Sequence, residues 1–278
     1  MDKPLAPGLH IVATPIGNLG DLSPRAADTL RNASLLLVED TRVTAKLLAH
    51  IGAKVPMMRY DDHSDDQQRD AIVARLADEP IALVSDAGTP LISDPGYKLV
   101  RAARAADRAV FTVPGPCAGI AALSLAGLPT DRFLFAGFLP AKAKARTDSI
   151  AEVAGIRSTL VFYETGPRLG DTLAELARQL GEREAAVARE LTKLHEECVT
   201  GALSELAARY VDAPPKGEIV IVVGPPGEAA EASDAELDGA LDEALAKLSP
   251  SRAAAEVAEQ LKIPRKRVYA RALELSRR

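Results

Sequence analysis

The sequence is poor in the residues that build metal sites and disulfides. Among 278 residues there are two cysteines, Cys117 and Cys198, four histidines and no tryptophan. The cysteines form no CxxC pair and the histidines are scattered, so neither a disulfide framework nor a zinc site is predicted. We therefore expect two reduced thiols and no metal.

Long apolar runs and targeting signals are also missing. No uninterrupted apolar segment approaches the ~20 residues that a membrane-spanning helix needs, and Met1-Asp2-Lys3-Pro4 lacks the basic and then apolar layout of a signal peptide. Hydrophobic residues make up 47% of the chain, which allows a sizeable core. We expect a cytoplasmic protein of roughly two domains that does not enter membranes.

Positive charge is concentrated at one end of an acidic chain. Eight basic and three acidic residues lie between 249 and 278, a net charge of +5, which leaves −10 for residues 1–248 because the whole chain carries −5. A basic tail on an acidic body indicates a polyanionic partner. A solvated helical face would give the same charge pattern.

The most informative stretch runs from Leu83 to Gly96 and reads LVSDAGTPLISDPG. It continues a short apolar run bounded by Pro80, which predicts a buried strand, and then brings turn formers, hydroxyls and carboxylates together. Polar turns at the carboxyl ends of parallel strands are where open α/β sheets bind ligands. We interpret the stretch as a binding loop, although Asp94-Pro95 taken alone suits the cap of the next helix.

Strand and helix patterns alternate through most of the chain. Strands are predicted near residues 9–14, 35–38, 57–60, 81–84, 109–113, 133–138, 159–163, 185–188 and 219–223. The alternation predicts an N-terminal α/β domain over residues 1–115, with a parallel sheet covered by helices on both faces, and a C-terminal α/β domain over 116–224. Polar turns follow strands in both halves, so a ligand site between the two sheets would use both sets.

The last part of the chain, residues 234–278, follows a linker and is predicted to be helical. Its final helical pattern carries Arg265, Lys266, Arg267 and Arg271. Two short helices, a tight turn and a basic second helix match the outline of a helix-turn-helix, which favours a nucleic-acid partner. A small structural bundle matches the same outline.

Eight motifs occur in an order that resembles the tetrapyrrole-methylase superfamily. They are VATPIGNLGDLSPRA, VEDTR, LVSDAGTPLISDPGY, PGPCAG, LPTDRFLFAGFLP, FYE, RELTKLHEE and KGEIVIVV, and they span residues 9–223. The resemblance is closer to the superfamily's ribosomal RNA branch, which methylates the ribose 2′-hydroxyl of a cytidine in small-subunit ribosomal RNA. It implies two α/β domains of the tetrapyrrole-methylase type with a cofactor cleft between them and a small C-terminal helical segment. It also implies a homodimer that acts on the RNA or the assembled 30S subunit.

The resemblance implies that S-adenosylmethionine binds in that cleft, against residues that match the family's motifs. These are Pro15, Ile16, Gly17, Gly88, Thr89, Pro90, Ile92, Cys117, Ala118, Tyr163, Gly217, Glu218 and Ile219. Thr89 stands where relatives outside the RNA branch have Asp, and Cys117 stands in place of Ser. Asp61-Asp62-His63-Ser64 and Thr165-Gly166-Pro167-Arg168 also depart from the branch's usual residues.

Methyl transfer to a ribose hydroxyl requires a group that accepts the hydroxyl proton. Asp40, His63, Asp86 and Glu190 lie at or near predicted strand ends, and we expect Asp86 or His63 to be the base. We expect Arg42, Arg189 and Lys193 to hold backbone phosphates, together with Arg265, Lys266 and Arg267 of the tail. Alternatively, Arg42 and Arg189 pair with Glu39 and Glu190, and His63 caps a helix.

Two other functions fit parts of the pattern. A precorrin or uroporphyrinogen methylase would use the same cofactor motifs but has no use for a basic tail. A DNA-binding regulator with a ligand-sensing α/β body would need the tail to bind duplex DNA. Aromatic residues make up only 4% of the chain, so RNA would be recognised mainly by its shape and phosphates, which predicts an assembled subunit or a large RNA piece as the target.

Overall fold

The computed structural model describes residues 4–61, 65–227, 234–261 and 264–276. These residues form two compact units, 1–225 and 226–278. The first unit contains two five-stranded sheets, and the second contains helices. No described helix is long and apolar enough to cross a bilayer.

The first sheet is wholly parallel, as the alternating pattern predicted. Its strands stand in the order β3-β2-β4-β1-β5. They are β1 Gly8–Val12, β2 Leu35–Val38, β3 Met57–Arg59, β4 Pro80–Leu83 and β5 Val110–Val113. Helices α1 Pro24–Asn32, α2 Thr41–His50, α3 Asp66–Arg75 and α4 Tyr97–Ala105 connect them. Separate apolar clusters contain Leu36 and Leu37, neighbours on β2, because successive side chains of a strand point to opposite faces of the sheet.

The order of the strands brings the loops after β1 and β4 together. The two strands are hydrogen-bonded neighbours, although two strands and three helices separate them in sequence. Their carboxyl ends therefore meet at one edge of the sheet, which is where open α/β sheets hold ligands.

The second sheet is mixed, with the order β6-β7-β10-β8-β9. Only β6 and β7 run parallel. Its strands are β6 Phe133–Phe138, β7 Thr159–Thr165, β8 Glu184–Arg189, β9 Glu197–Ala202 and β10 Glu218–Val223. Helices α5 Ala118–Leu125, α6 Ala143–Ala154, α7 Gly166–Leu180 and α8 Leu203–Val211 belong to the same half. Apolar side chains of α6, α7 and α8 cover one face of the sheet.

Two of these elements are absent from the sequence prediction. Strand β9 has only partly buried or exposed side chains at the sheet edge, so its sequence lacks the apolar run of a central strand. Helix α5 is short and almost wholly apolar, so it has no polar face to reveal a helical period.

The second unit contains α9 Asp234–Leu245, α10 Pro250–Leu261 and α11 Arg265–Leu275 around a small apolar core. Guanidinium groups of α11 pair with carboxylates of α9. Arg267 lies 3.1 Å from Asp234, and Arg271 lies 2.6 Å from Asp238 through two hydrogen bonds. Part of the basic charge of the tail is therefore used inside the unit.

Candidate functional site

A cavity lies between the two sheets of the first unit. Its walls come from the loops after β1, β4 and β8, the N-terminal end of α5, and the sheet strands β6, β7 and β10. It encloses about 760 Å³ of empty space, including part that is open to solvent. Both halves of the chain contribute to it, as the polar turns predicted.

Most of the predicted cofactor residues line this cavity. They are Ile16, Gly88, Thr89, Ile92, Cys117, Ala118, Tyr163, Glu218 and Ile219. Pro15 instead lines a neighbouring depression. Gly17, Pro90 and Gly217 do not line the cavity itself. Gly17 and Gly217 lie close behind its wall, against residues of the loop after β8.

Direct contacts hold the cavity loops together. The backbones of Thr14 and Gly88 exchange two hydrogen bonds of 2.8 and 3.1 Å. Gly88 has a φ of +83°, a conformation that glycine adopts without steric cost. The hydroxyl of Thr89 donates to the carbonyl of Pro116 at 2.9 Å. Thr89 therefore connects two loops through a hydrogen bond that an ionised Asp could not donate.

Gly17 and Gly217 leave room for the loop after β8. A Cβ atom built on Gly17 would lie 2.9 Å from the carbonyl oxygen of Leu191 and 2.6 Å from a side-chain carbon of Lys193. Gly217 has a φ of +97°, and a Cβ there would lie 2.2 Å from a carboxylate oxygen of Glu190. A larger residue at Gly17 would push this loop out of place, whereas one at Gly217 would be strained by the positive φ and would displace the side chain of Glu190.

Backbone strain is concentrated in two of the loops that line the cavity, those after β4 and β8. Leu91 and Ser93, after β4, have φ values of +75° and +66°, and Glu190 and Thr192, after β8, have +50° and +65°. Only one other described non-glycine residue, Asp107, has a positive φ. Such conformations cost about 1–3 kcal/mol each and persist where the surroundings over-determine them, as they do at binding sites.

Asp94 belongs to the stretch that the sequence analysis interpreted as a binding loop. The alternative role that Asp94-Pro95 suits when taken alone, a helix cap, is not found, because α4 begins at Tyr97 and its N-cap residue is Gly96, without a side-chain cap. The carboxyl group of Asp94 lies at the cavity instead. Burial raises its pKa to about 6, helped by the charges of Glu39, Asp86 and Glu218 and opposed by a hydrogen bond with Ser85.

Tyr163 is held in an aromatic cluster at the cavity. Its phenol oxygen accepts a hydrogen bond from the backbone N–H of Gly119 at 3.1 Å, near the start of α5. The rings of Phe135 and Phe138 pack edge-on against it at 4.9 and 5.4 Å. Burial, followed by the neighbouring Cys117, raises the pKa of Tyr163, so the phenol stays neutral near pH 7.

Asp86, one of the two predicted bases, does not line the cavity. Asp86 lines the neighbouring depression with Thr14, Pro15 and Lys46. Its carboxylate accepts a hydrogen bond of 3.0 Å from the backbone N–H of Asp40. His63 lies outside the described residues.

Four of the six predicted phosphate-binding residues pair with carboxylates, namely Arg42, Arg189, Lys193 and Arg267. Arg42 pairs with Asp40, where its Nε donates at 3.0 Å, rather than with Glu39. This guanidinium lowers the pKa of Asp40 to about 2, and its side chain is still 87% exposed. Arg189 pairs with Glu197 at 2.6 Å rather than with Glu190, because β8 and β9 place them opposite each other.

Lys193 is the phosphate-binding candidate that lines the cavity. Its ammonium lies 3.0 Å from the carboxylate of Glu190, which also lines the cavity. In the second unit, Arg265 and Lys266 are exposed and border a shallow groove with Ser251 and Tyr269. Arg267 is tied to α9, as described above.

Known proteins resemble this chain in sequence and in fold. Residues 8–207 match the model of the tetrapyrrole (corrin/porphyrin) methylases, and residues 231–276 match the RsmI C-terminal HTH domain. A ribosomal RNA small subunit methyltransferase I from Erythrobacter litoralis is 58% identical over 98% of this chain and 97% of its own length. The protein of the same name from Escherichia coli O157:H7 is 44% identical over 96% of this chain and 94% of its own.

Solved structures show the same fold at lower identity. A diphthine synthase has a TM-score of 0.59 at 14% identity, covering 78% of this chain and 89% of its own. A uroporphyrin-III C-methyltransferase from Thermus thermophilus, complexed with S-adenosylhomocysteine, has a TM-score of 0.52 at 20% identity, covering 78% and 96%. From its matched domains and its near full-length relatives, this chain belongs to the tetrapyrrole methylases, in the branch of the ribosomal RNA small subunit methyltransferases I.

Proposed function

We propose that this chain methylates the ribose 2′-hydroxyl of a cytidine in small-subunit ribosomal RNA, with S-adenosylmethionine as the methyl donor. The cavity between the two sheets carries the proposal, because it collects nine of the residues expected to bind the donor. Relatives that share over 90% of their length with this chain are named ribosomal RNA small subunit methyltransferase I, which supports methylation of small-subunit ribosomal RNA.

The chemistry of the cavity wall suits this donor. Apolar side chains of Ile16, Ile92 and Ile219, with the ring of Phe138, suit the flat faces of an adenine. Carboxylates of Asp94, Glu190 and Glu218 suit a ligand that carries positive charge at its sulfonium and amino groups. When bound, the donor supplies an electrophilic methyl group on sulfur, so the chain's contribution is alignment and proton transfer.

We propose that Asp94 accepts the proton of the ribose hydroxyl. A base works best when its pKa lies near the working pH, and burial brings the pKa of Asp94 to about 6. The hydroxyl oxygen then forms its bond to the methyl carbon while the carbon–sulfur bond breaks and leaves a neutral sulfide. The roles of Asp86 and His63 stay predictions, with Asp86 supporting the backbone at Asp40 from the adjoining depression.

The phosphate contacts of the RNA are proposed to come from two places. Lys193 holds a phosphate at the cavity, Arg42 lies in the first turn of α2, and Arg189 is the last residue of β8. In the second unit, Arg265 and Lys266 are the exposed cations of α11. An Arg265→Ala, Lys266→Ala double variant should lower the affinity for small-subunit RNA and reduce its salt dependence by about two phosphate contacts.

Lys247→Ala provides the matched control for that pair. Lys247 is an exposed cation on the segment after α9, away from the groove of Arg265 and Lys266. The control should leave the salt dependence within about half a phosphate contact of the unmodified chain. If the control and the double variant weaken binding equally, α11 has no special place in RNA binding.

We infer that the chain acts as a homodimer. Ile120 and Leu125 on α5 and Phe133 on β6 are large apolar side chains that are 50%, 46% and 44% exposed, and a second copy of the chain would cover such side chains. Sedimentation equilibrium should give twice the mass of the 29.3 kDa chain. A monomer at micromolar concentration would contradict this.

The test of the function is direct. Small subunits from a strain that lacks this activity are incubated with the chain and labelled S-adenosylmethionine, and the ribose methylation is mapped. We expect one modified cytidine, with assembled subunits methylated faster than short RNA hairpins. Label on a tetrapyrrole but not on the subunit would favour the porphyrin-methylating alternative.

A further inference from the structure

Leu194 is an apolar side chain held in solvent beside the cavity. It is 93% exposed, which is the largest exposed fraction of any large hydrophobic residue that the structure describes. Single exposed leucines are common on protein surfaces. What distinguishes this one is that Leu191 and Lys193, its near neighbours in sequence, line the cavity.

The loop that carries Leu194 is braced rather than loose. It joins β8 to β9 through residues 190–196, and its backbone makes hydrogen bonds from Lys193 to Glu190 at 3.0 Å and from Glu196 to Lys193 at 3.2 Å. The carboxylate of Glu196 also accepts from the N–H of Thr192 at 2.6 Å. These hydrogen bonds fix the backbone of the loop, so the exposed side chain of Leu194 is held at a defined position.

The loop is also fixed to the wall of the cavity. Leu191 is buried, with 7% of its surface exposed, and packs in the apolar cluster between α5 and the second sheet. Gly17 lies close behind the same loop. Leu191 therefore anchors the loop while Leu194, three residues later, projects outward next to the place where the reaction is proposed to occur.

We propose that Leu194 inserts into the stacked bases of the RNA and fills the space that the target nucleotide leaves. This rests on the proposed function. A ribose inside a structured RNA must be exposed before it reaches a cavity, and proteins that open base steps insert apolar wedges such as leucine. Lys193 beside it supplies a cation for the adjoining phosphate. The tip thus combines an apolar wedge with a phosphate contact.

Leu194→Ala tests the wedge on the full chain. Single-turnover methylation of small subunits should slow at least about tenfold, because alanine is too small to occupy the space between the unstacked bases. Leu194→Met should recover most of the rate. Val211→Ala, which shortens another exposed apolar side chain at the end of α8, should stay within about twofold. Calorimetric affinity for S-adenosylmethionine should be unchanged in all three variants.

A second experiment measures the unstacking of the RNA bases directly. A large small-subunit RNA fragment carries the fluorescent base 2-aminopurine beside the target cytidine, and its emission rises when stacking is lost. The unmodified chain should raise the emission, and Leu194→Ala should bind the RNA without the rise. Equal emission with both proteins, or an unchanged methylation rate, overturns the proposal.

Other outcomes are separable. A change of sedimentation mass in Leu194→Ala would show that the residue contacts a second copy of the chain, which also overturns the wedge. If the unmodified chain methylates no small subunit, the proposed function fails, and the wedge fails with it because it depends on that function.

Discussion

Two concavities flank the loop that follows β4, and each receives an aspartate from it. Asp94 faces the cavity between the sheets, where burial and neighbouring carboxylates raise its pKa to about 6. Asp86, eight residues earlier, faces the neighbouring depression and accepts a backbone hydrogen bond at 3.0 Å. The same chemical group can therefore serve as a proton acceptor in one place and as a structural acceptor in the other, because the surroundings decide.

Replacing Asp94 should have the largest effect. Asp94→Asn keeps the shape of the side chain but removes the group that accepts the proton, so the single-turnover rate should fall by about 10²- to 10⁴-fold. Asp86→Asn is the matched change in the other concavity and should keep most of the rate. Equal losses in the two variants would remove the distinction between the aspartates.

The stability of Asp94→Asn should show that its loss of rate is not a loss of fold. The folded-state pKa of Asp94 is raised above its usual value, so its favourable contribution is complete below the unfolded pKa and is lost as the pH rises through about 6. At pH 8 the variant should be at least as stable as the unmodified chain, because the asparagine carries no charge to bury. Urea unfolding at pH 4.5 and 8 would measure this, and a variant less stable only at pH 8 would contradict it.

The pH profile gives the next effect. Only the ionised carboxylate accepts a proton, so the rate should fall by about tenfold for each unit of pH below about 6 and level off above it. The measurement is single-turnover methylation between pH 5 and 8, with the RNA and the donor saturating. The acidic limb should vanish in Asp94→Asn but persist in Asp86→Asn.

Gly17→Ala should weaken donor binding without touching either aspartate. The added carbon would meet the carbonyl of Leu191 and force the loop after β8 away from the cavity, so we expect about a tenfold lower affinity for S-adenosylmethionine by calorimetry. Gly52→Ala is a control in an open position, although its φ of +65° gives it some strain of its own. Unchanged donor affinity in Gly17→Ala would mean that the loop does not shape the donor site.

Asp86→Ala should have the smallest effect on activity. It leaves the N–H of Asp40 without its acceptor, which should cost about 1 kcal/mol in the free energy of unfolding. The rate should stay within about threefold, measured beside Asp94→Ala. If the methylation rate of Asp86→Ala falls by much more than this while the free energy of unfolding changes little, Asp86 takes part in the reaction.

The sequence predicted the sheets better than it predicted the cavity. Strands β2 and β6 have the bounds that their apolar runs indicated, because a buried run determines a strand locally. The contribution of Asp94 was hidden, since an Asp-Pro pair before a helix is an ordinary capping signal and only the burial by distant loops reveals another role. The helix actually begins after Gly96.

Long-range pairing was the other part that local patterns could not supply. The basic residues of the tail were readable, but the partners of Arg267 and Arg271 lie 33 residues away on α9. The alternative to phosphate binding, in which Arg42 and Arg189 pair with Glu39 and Glu190, named the wrong carboxylates. The N-cap position of Asp40 and the register of β8 with β9 determine that the partners are Asp40 and Glu197. Such choices depend on geometry that composition does not contain.

The carboxylates of α9 that pair with α11 offset the positive charge of that helix within the second unit. Residues 234–278 carry nine basic and eight acidic side chains, a net charge of +1, so the unit is close to neutral although its last helix is strongly basic. A nearly neutral body with one cationic edge has a large dipole and a small monopole. The electric field of a polyanion such as RNA would orient this dipole during association. The second unit should therefore contribute more to the orientation of the chain on the RNA than to its binding affinity.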